Sequence, residues 1–356
     1  MRHALVLTVT LLLSTSSALA DGSFVGRTRF DLDRPEIQQF VEATAASNKM
    51  QPLDVYRLLA KAEPQPKIIE LISKPAEKVS PWWEYRERFL TEQRVKEGAQ
   101  FMREHRARLE KARKDTGVAP EYVVAIIGVE TFYGRITGKH RVLDALATLA
   151  FDYPPRAEYF RSELAQFIAL SREEAVDPLT AMGSYAGAMG AGQFMPSSYR
   201  RYAVDGSSDD KRNLFADWDD IIASVANYFK QHGWVADGPV LAEAVVDPDA
   251  PVTGEAGNLK LNDTVAGLKA KGVAFDTGEA ESAPALLIPA ETEVGPSYRV
   301  GFKNFEVITR YNRSVRYAMA VHDLATNIAD RVAATTPADS GETKLAAQPG
   351  STTAAR

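Results

Sequence analysis

The residue best placed to do chemistry is Glu130. Pro120 suits the first turn of a helix, and the pattern after it predicts a helix to about Thr131, with Gly134 just beyond its end. On that helix Val123, Ile126 and Ile127 precede Glu130 by seven, four and three residues, so the carboxyl falls on the apolar stripe. Desolvation there raises a carboxyl pKa, which keeps the group protonated near neutral pH and suits it to general acid work if a neighbour hydrogen-bonds it. The plainer alternative is a glutamate at a helix end that reaches solvent. A second cluster, Asp205, Ser207 and Asp209, puts oxygen side chains at alternate positions of a calcium-type loop. Asp210 stands where Gly is wanted and Ala216 where the closing Glu belongs, so by motif alone a polar turn is the simpler reading. Gly134 to Lys139 is one residue short of a phosphate loop and ends in His140 instead of Ser or Thr. The five histidines show no pair at metal-ligand spacing, which argues against a zinc hydrolase, and zero cysteines removes thiolate chemistry and a lipidated cysteine anchor.

The elements that must hold these groups read as mainly helical. Segments 34–114, 142–151, 156–174, 219–231 and 313–334 carry helical patterns. The stretch from Met182 to Ala203, with Gly183, Gly187, Gly190 and Gly192, reads as a structured loop leading into a short helix capped by Ser197 or Ser198. Pro239–Val246, Ala283–Pro289, Ser297–Phe302 and Phe305–Ile308 read as short β runs. The expected fold class is mainly α (α+β). Its expected divisions are a signal peptide at 1–20, a helical domain at 21–115, a catalytic core at 116–235, a β-containing insertion at 236–305, a returning helix at 306–334 and a disordered tail at 335–356. Arg2, the apolar run Ala4–Leu13 and Ala18-Leu19-Ala20 form the signal peptide, with cleavage after Ala20 and a periplasmic destination. That run is about half the ~20 residues a membrane helix needs, and no transmembrane or lipid anchor is expected. A formal net charge of −5 argues against nucleic acid as a partner.

Several motifs carry a resemblance. Gly128-Val129-Glu130-Thr131 with Tyr133-Gly134, Leu143 to Leu149, Arg156 to Phe160, Tyr185 to Gly190, Gly192 to Tyr199, Ser224 to Phe229, and Tyr311 to Ser314 with Tyr317 are similar to the lytic murein transglycosylase B family of bacterial cell-wall enzymes, over about 30–324. The resemblance implies a lysozyme-like catalytic core with an N-terminal helical domain and a small β domain. By position Glu130 resembles the family's single catalytic acid, and Ser184, Gln193, Tyr228 and Tyr317 resemble groups lining the sugar cleft, with Tyr85, Phe194, Arg156 and Tyr311 beside them. Two positions depart from the pattern: Pro155 replaces a second arginine, and Phe132 stands where a basic residue is common. The family also implies a structural calcium ion on Asp205, Ser207, Asp209 and the Lys211 carbonyl, closed by Asp220; no cofactor is expected for the chemistry.

The implied reaction is cleavage of the MurNAc-GlcNAc β-1,4 bond of peptidoglycan glycan strands with formation of a 1,6-anhydro ring. Two-carboxylate glycosidases place their acids about 5 Å apart or further, whereas the 182–203 loop contains neither Asp nor Glu, which fits one acid. Asp144 or Asp152 folding into the cleft would change that reading. Cell-wall synthesis or hydrolysis proteins are candidate partners. A water-using lysozyme-type muramidase and a non-catalytic peptidoglycan-binding protein are the alternatives, and a solute-binding protein is disfavoured for lack of alternating strands and helices.

Overall fold

The computed structural model describes residues 28–73, 80–174, 176–250, 254 and 257–335. The expected signal peptide and all but the first residue of the expected tail lie outside them. In chain order the helices are α1 (Pro35–Ser47), α2 (Pro52–Leu59), α3 (Pro66–Ser73), α4 (Trp82–Glu87), α5 (Glu92–Glu104), α6 (Arg106–Thr116), α7 (Pro120–Thr131), α8 (Val142–Asp152), α9 (Ala157–Glu173), α10 (Pro196–Tyr202), α11 (Trp218–Gln231), α12 (Val265–Ala270), α13 (Lys303–Tyr311) and α14 (Val315–Thr335). Proline opens α1, α2, α3, α7 and α10, where its fixed φ is already helical and its missing N–H costs nothing.

Helix α7 is the axis of the molecule. Val123 to Gly128 are all buried, so this helix is enclosed on every side and its apolar surface is wider than one stripe. It packs against α5, α6, α11 and α14. One hydrophobic core runs from Phe30 to Ile328, crossing the expected boundary at 115, because α5 packs on α7 and α14 and α6 packs on α11. The described residues of the expected N-terminal helical domain therefore share this core with the segments that follow.

The five-stranded antiparallel sheet has the order β4-β6-β7-β3-β5, from β3 (Leu241–Val246), β4 (Asp263–Thr264), β5 (Val273–Ala274), β6 (Pro284–Pro289) and β7 (Tyr298–Gly301). Alternation along β6 divides its side chains: Ala285 and Leu287 join a small core with Val265, Leu268, Val300 and Phe302, while Leu286 and Ile288 join the large one. A two-stranded ribbon pairs β1 (His140–Arg141) with β2 (Met182–Gly183) and brings the glycine-rich loop back to the chain that follows α7.

Two local expectations are corrected, and the expected helical segment 34–114 is seen to divide. Phe305–Ile308 lies inside α13, where Phe305, Val307 and Ile308 are buried; its apolar residues are too few to separate strand from helix by pattern. The charged stretch 82–113 is three helices, broken after Glu87 and at His105. Neither Ser197 nor Ser198 caps α10: the cap position is Met195, and Ser197 instead gives its N–H and hydroxyl to the buried Glu163 carboxylate at 2.9 and 2.6 Å.

Asp144 and Asp152 are both committed to structural pairs. Asp144 accepts from Arg141 Nε and Nη2 at 2.8 and 2.6 Å and from the Glu63 N–H at 2.8 Å, and Asp152 accepts from Arg34 at 2.7 Å. Asp144→Ala leaves a half-buried guanidinium and a backbone donor without their partner, so we expect a loss of about 3 kcal/mol in denaturant unfolding with the cleft chemistry retained in the folded fraction.

Candidate active site

Glu130 sits on the last turn of α7, which stops because Phe132 and Tyr133 both take left-handed backbone conformations, at φ 52° and 60°. Two consecutive non-glycine residues in that region cost energy, and here the turn folds the chain back over the helix end. Thr131 fastens the opposite wall: its hydroxyl donates to the Ala191 carbonyl at 2.8 Å and accepts the Gly134 N–H at 2.9 Å. The loop beyond is stiff for the same kind of reason. Met189, fully buried, pairs with both Gly183 and Phe194. Gly190 has φ 68°, and a Cβ there would lie 2.1 Å from the Leu214 carbonyl oxygen, so only glycine fits.

The Tyr317 hydroxyl, from the second residue pair of α14, donates to Glu130 Oε1 at 2.5 Å. Burial pushes the Glu130 pKa up to about 7 from the ordinary 4.5, and the Tyr317 bond opposes part of that rise. Among the described residues no second carboxylate contributes to the shift. Tyr317 itself is held well above the usual phenol range, by burial first and then by the Glu130 charge, so it stays a donor.

The other residues expected to line the sugar cleft are placed as follows. Tyr311 donates to the Gly192 carbonyl at 2.6 Å and packs against Tyr228 at 4.7 Å and Phe194 at 5.9 Å between ring centroids. Tyr228 donates to the Arg310 carbonyl at 2.6 Å and stacks on His232 at 4.2 Å. Tyr311 and Tyr85 both feel the Glu130 charge, which places them in its neighbourhood. Gln193, at φ 51°, donates to the Thr137 and Gly190 carbonyls at 3.0 and 2.9 Å. Ser184 accepts the Ala186 and Ala188 N–H groups at 3.3 and 3.0 Å, so its hydroxyl shapes the loop. Arg156 stands apart: exposed, its guanidinium lies 4.4 Å over the Tyr159 ring and 5.2 Å over that of Phe160, outside the hydrogen-bonded network of Glu130. Thr131 and Glu163 were not foreseen; the Thr next to the catalytic candidate was the available signal for the first, and Glu163 offered none because its partner is 34 residues away.

The 205–220 loop gathers the expected calcium ligands without turning them to one point. Asp205 accepts the N–H groups of Ser208, Asp209 and Asp210 at 2.6, 3.2 and 2.9 Å. The fully buried Asp220 accepts those of Gly206, Ser207 and Asn213 at 2.8, 3.2 and 2.6 Å. The Lys211 N–H donates to Asp209 at 2.9 Å, and Asp210 has the left-handed φ, 66°, that glycine would have taken more easily. The donor set is all oxygen, which suits calcium, but among the described residues no three acidic or imidazole groups converge as a cation shell.

The family model for the transglycosylase SLT domain matches residues 33–326. The chain belongs to that family. It is 41% identical over 308 residues, 83% of each chain, to the membrane-bound lytic murein transglycosylase B of Escherichia coli. Among solved structures, the E. coli lytic transglycosylase Slt35 in complex with calcium is 39% identical, with TM-score 0.75 over 86% of this chain and 97% of that one. SltB3 of Pseudomonas aeruginosa in complex with NAG-anhNAM-pentapeptide is 29% identical, with TM-score 0.73 over 82% and 78%. These relatives bear out the lysozyme-like, mainly helical fold expected from the sequence of this SLT-family chain. No helix among its described residues is long and apolar enough to cross a membrane.

The Tyr317–Glu130 bond makes a prediction with a definite sign. The bond stabilises the carboxylate, so Tyr317→Phe raises the Glu130 pKa further. If Glu130 must start protonated, the alkaline limb of kcat/KM moves upward from about 7 while the maximum rate falls roughly tenfold or more, as expected for a lost positioning hydrogen bond. A pH–rate profile checks this, and a limb that stays put or moves down contradicts it.

Proposed function

We propose that this protein is a peptidoglycan lytic transglycosylase in which Glu130 is both the acid and the base. One observation carries the reading: the Glu130 carboxyl at the end of α7 is held by the Tyr317 hydroxyl, no second carboxylate among the described residues acts on it, and burial pushes its pKa up to about 7. At neutral pH a large fraction of Glu130 molecules is protonated. The protonated form donates to the glycosidic oxygen, the C1–O4 bond breaks, and the GlcNAc side leaves as an alcohol. The resulting carboxylate accepts the proton of the 6-hydroxyl of the MurNAc residue, whose oxygen closes on C1 as a 1,6-anhydro ring. The proton returns to Glu130 and no water is consumed. The tethered nucleophile replaces the second carboxylate of a hydrolase. Tyr228, Tyr311 and Tyr85 are partly exposed aromatic side chains suited to sugar rings, with the buried Phe194 packed edge-on against Tyr228 and Tyr311. The NAG-anhNAM-pentapeptide complex of the P. aeruginosa relative supports this product class. The N-terminal signal-type segment supports export to the periplasm, where murein lies.

A structural calcium ion in the 205–220 loop is a separate proposal, supported by the calcium complex of Slt35 and by the all-oxygen donor set. Binding has to compete with the N–H groups now held by Asp205 and Asp220, which points to weak affinity and no role in proton transfer.

Glu130→Gln keeps the shape and the contact to Tyr317 but removes the transferable proton. We expect release of anhydro-muropeptides from purified murein to fall by ~10³-fold or more at unchanged circular dichroism. Mass spectrometry of the products separates the readings: reducing ends from the parent enzyme indicate a hydrolytic muramidase, and binding without release indicates a non-catalytic protein. For the loop, millimolar calcium added to chelator-treated protein should raise Tm more than magnesium does, and an unmoved Tm removes the ion.

A further inference from the structure

The left-handed turn that ends α7 is anchored by one side chain of its own. The Phe132 N–H reaches the Gly128 carbonyl at 3.1 Å, the bond of a left-handed helix cap whose usual residue is glycine, and the Tyr133 N–H folds back to the Ile127 carbonyl at 3.2 Å. Neither residue is glycine, so the backbone does not favour this path by itself and a contact outside the turn has to hold it. Tyr133 is buried, and its side chain enters a slot between two helical glycines, Gly98 of α5 and Gly128 of α7. A Cβ at Gly128 would lie 2.7 Å from the Tyr133 ring and hydroxyl, and one at Gly98 would overlap the hydroxyl and the end of the Ile328 side chain. In the slot the hydroxyl donates to the Arg94 carbonyl at 2.8 Å, and the ring stacks on Phe101 at 5.7 Å between centroids.

Both helices give up stability to form this slot, because glycine inside a helix is less favourable than alanine. Gly98 stands one turn after Arg94 on α5, so its missing side chain is what leaves the Arg94 carbonyl within reach of a second donor. Glu130 lies three residues before Tyr133, and its one side-chain hydrogen-bond partner among the described residues is Tyr317, on another helix. The meeting of carboxyl and phenol therefore depends on where α7 stops. A frayed last turn would admit water to the carboxyl and loosen its bond to Tyr317.

We propose that Tyr133 is a positioning residue: seated in the Gly98–Gly128 slot, it fixes the end of α7 and thereby holds the Glu130 carboxyl against the Tyr317 hydroxyl. The proposal rests on Glu130 as the acid of the reaction above. The titratable groups coupled to Glu130 are phenols, Tyr317 of α14, Tyr311 of α13 and Tyr85 of α4, and burial raises all three. The cations beside the turn and the cleft, Arg94 and Arg135 over Phe132 and Arg316 over Tyr85, stay charged across the same range. The alkaline limb of kcat/KM thus reports the carboxyl.

Tyr133→Phe keeps the ring in the slot and removes only the donor, whereas Gly98→Ala fills the slot from α5 without altering α7. The test measures Tm, kcat, KM and the pH dependence of kcat/KM for the parent, each variant and the double variant. Tyr133→Phe should lower kcat about fivefold, the worth of one neutral hydrogen bond, with KM changed less than twofold. Burial outweighs the Tyr317 bond in setting the Glu130 pKa, so a loosened turn moves the limb down from about 7 toward the ordinary 4.5, opposite to the direction expected for Tyr317→Phe. Gly98→Ala should do the same, and because both changes break one contact the double variant should lose less than the product of the single losses. A lowered Tm with the parent's kcat and limb in both single variants assigns Tyr133 to stability alone and overturns the proposal, as does a limb that moves up. Carbon-13 NMR of Glu130 reads the same shift without turnover. A parent that titrates near 7 with variants that do not move overturns this proposal alone, whereas a parent that titrates near 4.5 overturns the assignment of the acid and this proposal with it.

Discussion

The partial burial of one carboxyl at the end of the central helix is the constraint on which this structure turns. An ionised Glu130 is expensive inside α7's packing, and the fold meets that cost with a proton and a single phenol. The sign of the energetic consequence follows from the shifted pKa. Below the ordinary 4.5 the group is protonated in the folded and unfolded chain alike; between 4.5 and about 7 only the unfolded chain releases the proton, and stability is lost as pH rises through that window. Above it the carboxylate costs up to about 3 kcal/mol of stability. Near neutral pH that loss is the counterpart of an acid poised to donate.

Several long-range contacts fix the elements that carry this pair. Thr131 fixes the loop wall to the helix end, Tyr311 ties α13 to Gly192, and α14 brings Tyr317 in from a distant part of the chain. Helix α14 is held from behind by Arg299 of β7, which meets Asp323 through two bonds of 2.8 and 3.2 Å, reaches Glu243 of β3 and lies over Trp82 of α4. One largely buried guanidinium thus connects the small sheet with the helices carrying Tyr317 and Tyr85. The sheet thereby buttresses the helices that carry Tyr317 and Tyr85.

Much of this was readable from sequence because it is local. The proline-started helix, the place of Glu130 on it, the glycine-rich loop and the three longer strands of the small sheet each depend on residues within a few positions of one another. The lysozyme-like frame and the cleft tyrosines came from family motifs, because no periodicity reports that positions 130 and 317 meet. What escaped was decided by tertiary partners: Ser197 left its capping role for Glu163, and Phe305–Ile308 became helical against the large core.

The central claim is that Glu130 is protonated in the folded protein well above the pH at which glutamates normally ionise. Carbon-13 NMR of glutamate-labelled protein, with the Glu130 resonance assigned from the Glu130→Gln variant, measures this without substrate. The account predicts a titration centred near 7. A midpoint near the ordinary 4.5 would contradict it, leaving the buried position of the carboxyl without the chemistry ascribed to it.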